Sequence, residues 1–175
     1  AGFQSGDEFR WLSRVSYRTK ELQDAYPNRG FGKNERNNWE TLSALQGIRE
    51  LLERTLATYD WGQNFVAGNL VCKPVVDETN RQLAAVARQY NDNLTSLMIE
   101  NQLRDSDRSR RWSKEVVDHS RSASNDKVLK EWLNKWMPLA IPAIEGYCSL
   151  LPDSNKASEA ALSGIENFHK TLWID

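Results

Sequence analysis

Cysteine, histidine and long apolar runs are scarce in this 175-residue chain, and each shortage excludes a class of protein. The two cysteines, Cys72 and Cys148, lie far apart in stretches of helical pattern, so we expect buried thiols rather than a disulfide. No apolar run approaches the roughly 20 residues that a transmembrane helix needs, and the N-terminus lacks a signal-peptide pattern. These features predict a cytoplasmic protein with no membrane partner.

Charge of one sign does not dominate either. The chain has 23 Lys and Arg residues and 24 Asp and Glu residues, which gives a net charge of −1. Five cations gather around Trp112: Arg104, Arg108, Arg110, Arg111 and Lys114. Such a group is typical of surfaces on which bases stack, but acidic residues are interleaved with it. Ion pairs along the helix explain the mixture, and we expect no nucleic-acid partner.

Apolar residues recur at helical spacing along nearly the whole chain, and no stretch alternates as a strand would. This pattern predicts an all-α protein, and its length fits a single helical domain over residues 1–175. Six helices are expected, over residues 3–26, 39–59, 63–90, 94–120, 128–151 and 158–172. Phe9, Leu12, Val15 and Leu22 mark the apolar side of the first, and Pro74 should bend or break the third.

Two strings of the form Asp-x-x-Arg-x lie 98 positions apart (105 − 7) in stretches of helical pattern: DEFRW at 7–11 and DSDRS at 105–109. In carboxylate-bridged di-iron bundles, two helices each carry Glu-x-x-His, which puts both ligands on one face. The first string keeps Glu8, but Trp11 stands in the place of the imidazole. The second offers Ser106 and Ser109, and neither is a plausible iron ligand. The pattern is that of a di-iron bundle without its metal chemistry.

The acid–base pairs within these strings predict salt-bridged links between bundle helices. Glu166 and His169 form an intact Glu-x-x-His, but no second such motif exists, so we expect an exposed, salt-bridging helix face there. The only other histidine, His119, should lie on the surface near a helix end. No serine or cysteine stands in a recognised nucleophile motif.

Residues 9–22, FRWLSRVSYRTKEL, begin a series of motifs that continues in order along the chain. The other members are residues 32–39, 59–62, 69–74, 111–114 and 132–140. This series resembles the β subunit of bacterial multicomponent di-iron monooxygenases of the toluene, alkene, propane and phenol type. It corresponds to the C-terminal half of that subunit. The resemblance implies a ferritin-like helical bundle related to the ribonucleotide reductase R2 protein, apparently partial in this chain.

The resemblance also implies a function within a complex that oxidises a hydrocarbon: an aromatic, an alkene, an alkane or a cyclic ether. The chain would be the non-catalytic β subunit of an α2β2γ2 hydroxylase, scaffolding the α subunit that holds the di-iron centre. NADH, FAD and iron–sulfur groups would belong to a reductase and a ferredoxin, and a small effector protein would regulate turnover. This chain would have no cofactor or catalytic residue of its own. The alternative is an independent helical interaction protein without an oxygenase role.

Carried over from the resemblance, the iron-ligand positions of the α subunit fall on Glu8, Trp11, Ser106 and Ser109, and a fifth falls near Cys72. One carboxylate cannot hold two irons, which need four carboxylates and two imidazoles, so we expect no metal site.

The resemblance further implies where the α subunit binds. The beginning of the third helix is apolar on several sides, and in R2-type folds the corresponding region lies toward the partner subunit. We therefore expect Trp61, Asn64, Phe65 and Asn69 at or near the contact with the α subunit.

Overall fold

The computed structural model describes residues 2–172, nearly all of which are helical. Eight α-helices follow one another: α1 (Gly2–Ala25), α2 (Glu35–Thr41), α3 (Ser43–Leu56), α4 (Trp61–Phe65), α5 (Lys73–Gln89), α6 (Asn93–Ser120), α7 (Ala123–Cys148) and α8 (Ser154–Leu172). A π-helical segment, Val66–Cys72, joins α4 to α5. The described residues contain no strand, in agreement with the predicted all-α class, and none of their helices has the length and apolar character that crossing a membrane requires.

The second predicted helix is in fact two helices, because Leu42 adopts an extended conformation (φ −72°, ψ 118°) between α2 and α3. Two side chains of α3 donate hydrogen bonds to backbone carbonyls near this break. Gln46 donates to Leu42 O (3.1 Å), and Arg49 donates to Glu40 O (3.1 Å). The apolar stripe continues through Leu42, so the spacing of apolar residues alone predicts one unbroken helix. The change of direction lets α3 pack along α7.

The third predicted helix is continuous from α4 to α5, but its winding changes from α to π over Val66–Cys72. Pro74 lies in the first turn of α5, directly after this segment. The segment is the most buried part of the described chain: Val66, Ala67, Leu70 and Val71 are fully buried, with α3, α6 and α7 packed around the segment. The irregularity expected at Pro74 therefore begins before the proline.

Helices α3 and α7 approach each other closely because glycine lies on both sides of the contact. A Cβ atom added to Gly146 would lie 2.5 Å from the carbonyl oxygen of Ala44, and one added to Gly47 would overlap the backbone at Pro142. Both obstacles are backbone atoms, which cannot move aside as a flexible side chain can. Glycine at these two positions therefore sets the spacing between the helices.

We predict that Gly146→Ala lowers the free energy of unfolding by about 1–3 kcal/mol, because the methyl group forces α3 and α7 apart. Gly6→Ala is the matched control, since Gly6 also lies inside a helix but a Cβ atom there meets nothing within 4 Å. This control should be neutral or slightly stabilising, because alanine favours helix. Urea unfolding of both variants measures the difference, and equal stabilities would contradict the packing role of Gly146.

Helix α1 differs from the other long helices because most of its apolar side chains are exposed. Phe9 is 71% exposed and Leu12 59% exposed, and Val15 is also exposed. The fourth residue of the predicted apolar side, Leu22, is half-buried, so this side does not form a core contact within the described chain. Asp7, a carboxylate, is the one buried residue of α1.

Candidate functional site

The two Asp-x-x-Arg strings meet across the contact between α1 and α6 and form a closed ring of four charges. Arg10 contacts Asp7 at 2.5 Å and Asp105 at 2.8 Å. Arg108 contacts Asp105 at 3.5 Å and also pairs with Asp7. The predicted ionic links between bundle helices are therefore confirmed, and each arginine bridges both strings.

A third arginine fixes the other end of α1. Arg18 donates to Asp92 (2.9 Å) and to the Thr95 hydroxyl (3.2 Å), both at the beginning of α6. Because Asp7 contacts the middle of α6 and Arg18 its start, the two helices run antiparallel. Polar contacts at both ends thus determine the register of α1 on α6.

A second ionic cluster lies deeper, where α5 meets α1 and α6. The Lys73 Nζ atom lies 2.5 Å from Asp77 Oδ1, 2.7 Å from Ser106 Oγ and 3.4 Å from Glu8 Oε1. The Ser106 hydroxyl lies 2.8 Å from Asp77 Oδ1 as well. Asp77 is 1% exposed, so its carboxylate depends on these partners. Two of the predicted ligand positions, Glu8 and Ser106, therefore come together, around a lysine.

Of the other predicted ligand positions, Cys72 adjoins this cluster directly before Lys73, whereas Ser109 and Trp11 have other surroundings. Ser109 is buried beside a cavity of about 160 Å³. Trp11 is partly buried against a small apolar cluster formed by Ala84, Ile99 and Leu103. Cys72 is buried, and burial raises the pKa of its thiol to about 11, which keeps it in the form that does not ligate metals. Among the described residues, no three His, Cys, Asp or Glu side chains are grouped to hold a metal ion.

A third carboxylate of the same region, Glu78, is also buried and paired. Arg110 lies 2.7 Å from Glu78 Oε1 and 3.5 Å from Asp77 Oδ2, and Arg81 lies 3.0 Å from Glu78 Oε2. A Cβ atom on Gly164 would overlap Glu78, so this glycine of α8 makes room for the carboxylate. Arg110, one of the cations around Trp112, therefore takes part in ion pairs inside the bundle.

His169 departs from its expected place on an exposed face, because it is half-buried and its ring contacts the π-helical segment. Its Nε2 atom lies 2.6 Å from the carbonyl oxygen of Leu70. A residue at position 74 of a regular α-helix would donate its N–H to that oxygen, but proline has none. The imidazole thus supplies the donor that Pro74 lacks. By contrast, His119 is exposed at the end of α6, as predicted.

The four residues expected at a subunit contact have different surroundings. Trp61 is 73% exposed, but Phe65 is 6% exposed and belongs to the core. The Asn64 side chain donates to the carbonyls of Thr55 (2.8 Å) and Thr58, where α3 ends. The Asn69 side chain accepts a hydrogen bond from Gln4 of α1 (3.0 Å). The contact itself stays a prediction, with Trp61 as the residue free to make it.

Trp61 borders an apolar cleft of about 180 Å³ between α4 and the facing ends of α6 and α7. Its ring stacks on Phe65 with centroids 6.0 Å apart, and Phe65 meets Trp112 edge-to-face at 5.7 Å. The far wall of the cleft is apolar as well: Val116, Val128, Leu129 and Trp132. An aliphatic or aromatic side chain of a partner would fit such a cleft.

The described part of the chain consists of long helices packed together by an apolar core and by ion pairs between helices, an arrangement consistent with a ferritin-like bundle. A profile of the Methane/Phenol/Alkene Hydroxylase family matches residues 1–123, and the chain belongs to that family. The predicted family and fold class are both confirmed.

One relative is the toluene-4-monooxygenase system hydroxylase component subunit beta of Ectopseudomonas mendocina. It is 44% identical over 150 residues, which cover 85% of this chain and 46% of the relative. A solved structure of toluene 4-monooxygenase, with toluene bound in its resting active site, aligns with a TM-score of 0.75 and 40% identity. This alignment covers 92% of the present chain and 50% of the solved one. The chain thus spans about half the length of the relatives it matches.

We predict that Asp7→Asn loosens α1, because the ring loses the only negative charge that is buried within it. The free energy of unfolding should fall by about 1–3 kcal/mol, less than for a fully buried pair since both arginines are partly exposed. Hydrogen–deuterium exchange should show faster uptake over residues 2–25. Asp24→Asn, in an exposed pair with Lys20, is the control. Equal uptake in the two variants would contradict the role of the ring.

The burial of His169 predicts a loss of stability at mildly acidic pH. Burial lowers the pKa of His169 below its ordinary value of 6.5 and the Arg110 charge acts in the same direction, which together outweigh the opposing hydrogen bond to Leu70 O. Since the folded protein holds this proton less tightly than the unfolded chain, the contribution is complete above about pH 6.5 and declines below it.

The test compares urea unfolding at pH 7 and pH 5 for the native sequence and for His169→Gln. Glutamine can donate to Leu70 O but does not titrate, so the variant should lose less stability between the two pH values. A loss as large as that of the native sequence would mean that His169 does not carry the effect.

Proposed function

We propose that this chain is the helical scaffold of a non-catalytic β subunit in the hydroxylase component of a multicomponent monooxygenase that oxidises a hydrocarbon. The observation that carries the proposal is the internal cluster around Lys73, which contains Glu8 and Ser106. At the positions where the resemblance places iron ligands, this chain has a glutamate paired with Lys73, two serines, a tryptophan and a protonated thiol. Such a set supports helix packing rather than oxygen chemistry.

The similarity to a hydroxylase β subunit supports the rest of the assignment. The di-iron centre would lie in an α subunit, and a γ subunit would complete an α2β2γ2 complex. Electrons from NADH would arrive through a reductase containing FAD and an iron–sulfur ferredoxin, and a small effector protein would regulate the complex. The role of this chain would be to hold the α subunit in shape and to contribute to the surface where these proteins dock. The complex would work in the cytoplasm.

The exposed indole of Trp61 is the best anchor for the α subunit. It is the residue of the predicted contact whose surface is not already used by this chain. It also borders the apolar cleft described above, which would accept a partner side chain next to it. Large aromatic side chains at the centre of an interface commonly contribute 2 kcal/mol or more to binding.

We therefore expect Trp61→Ala to weaken association with the α subunit by about 30-fold or more. Copurification and analytical ultracentrifugation of the coexpressed subunits measure this change. Hydrocarbon oxidation should fall in proportion to the lost complex, while the iron spectrum of the intact complex stays the same.

Tyr90→Ala is the matched control, because Tyr90 is an equally exposed aromatic residue at 65%. It lies at the opposite end of the continuous helix formed by α4, the π-helical segment and α5. A helical rise of 1.5 Å per residue puts it about 40 Å from Trp61. Loss of turnover in Trp61→Ala with assembly intact would contradict the placement. Failure of the native chain to copurify with any di-iron subunit would favour an independent interaction protein.

A further inference from the structure

Lys73 occupies an unusual position for a lysine, because its ammonium group lies inside the bundle rather than in solvent. Its side chain is 13% exposed, and it lies at the junction of three helices. One partner comes from each helix: Asp77 from its own helix α5, Ser106 from α6 and Glu8 from α1. Lysine is rarely buried unless it is paired, so this arrangement calls for a physical account.

We propose that these oxygen atoms form an internal cation site whose ligand is the ammonium group of the chain itself. The chemical class that the site accepts is a primary ammonium ion. An ammonium carries three N–H donors and no acceptor. Lys73 Nζ donates to Asp77 Oδ1 at 2.5 Å and to Ser106 Oγ at 2.7 Å, and Glu8 Oε1 adds an ion pair at 3.4 Å.

The charges of the surrounding network balance in the same way. Its cations are Lys73, Arg81 and Arg110, and its carboxylates are Glu8, Asp77 and Glu78. Removing the lysine charge leaves three carboxylates against two cations. The excess negative charge falls on Asp77, which is 1% exposed and cannot be compensated by water.

The position of the site between α1, α5 and α6 indicates its structural role. Glu8 and Ser106 lie where the resemblance places two iron ligands, and Lys73 directly follows Cys72, where it places a third. The ammonium therefore joins the same helices that a metal would join, by hydrogen bonds and charge instead of coordination. Lys73 is a positioning residue for α1 and α6, independent of any partner subunit.

The first test is Lys73→Met in the complete subunit, because methionine keeps most of the aliphatic stem and removes the charge. Its melting temperature should fall by about 10 °C, as expected when one partner of a buried ion pair is lost. Lys20→Met is the matched control. Lys20 pairs with Asp24 at the same i, i+4 spacing and 2.7 Å, but both side chains are more than 60% exposed. This control should change the melting temperature by about 2 °C or less.

The second test restores the cation from solution. Lys73→Ala retains the Cβ atom, so propylammonium corresponds to the deleted part of the side chain. Propylammonium chloride should raise the melting temperature of Lys73→Ala in a saturable manner and leave that of Lys20→Ala unchanged. Sodium chloride and tetramethylammonium chloride at equal ionic strength should not reproduce the effect, because neither cation has an N–H donor.

A serine pair keeps the proposal testable if the lysine variants do not fold. Ser106→Ala removes one acceptor of the site, whereas Ser113→Ala removes an equally buried hydroxyl that donates to the carbonyl of Ser109 (2.9 Å). Ser106→Ala should lower the melting temperature clearly more than Ser113→Ala. Equal losses in the serine pair, a Lys73→Met loss no larger than that of Lys20→Met, or rescue by sodium to the same extent would each overturn the proposal. None of these outcomes depends on assembly with the α subunit.

Discussion

Buried carboxylates dictate how the helices of this protein are arranged. Moving a carboxylate from water into a protein interior costs several kcal/mol unless a cation and hydrogen bonds compensate for it. Asp7, Asp77 and Glu78 are all buried, and each has a cation from the same or another helix. Any movement of α1, α5 or α6 that separated these pairs would incur the full free-energy cost of burying an unpaired carboxylate. The ionic contacts therefore fix one arrangement of the helices.

Two kinds of packing coexist as a result. Helices α3 and α7, the π-helical segment and α8 share a large apolar core, in which glycines allow close approach. Helix α1 instead attaches through the charge ring, Arg18 and Glu8, while Phe9 and Leu12 point outward. Hydrophobic packing is tolerant of small shifts in register, whereas paired charges are directional. The polar attachment of α1 thus contributes specificity more than stability.

Local spacing predicted much of this arrangement. Apolar residues three and four apart indicated the helices, and the two Asp-x-x-Arg strings indicated ionic links because charges at i, i+3 share a helix face. The break at Leu42 was not predictable, since the apolar pattern runs through it. The role of Lys73 was hidden for another reason: Lys-x-x-x-Asp is common on exposed helix faces, and only the packing of α1 and α6 buries this one. His169 and Leu70 are 99 positions apart (169 − 70), so no local pattern could pair them.

In the proposed arrangement, an internal ammonium, and not a metal, joins α1, α5 and α6. Iron analysis of the isolated chain, after aerobic reconstitution with ferrous iron and removal of loosely bound metal, tests this proposal most directly. We expect well under one iron per chain, because Lys73, Ser106 and Trp11 supply neither the charge nor the donor atoms that two irons need. Two irons bound per chain would contradict the assignment.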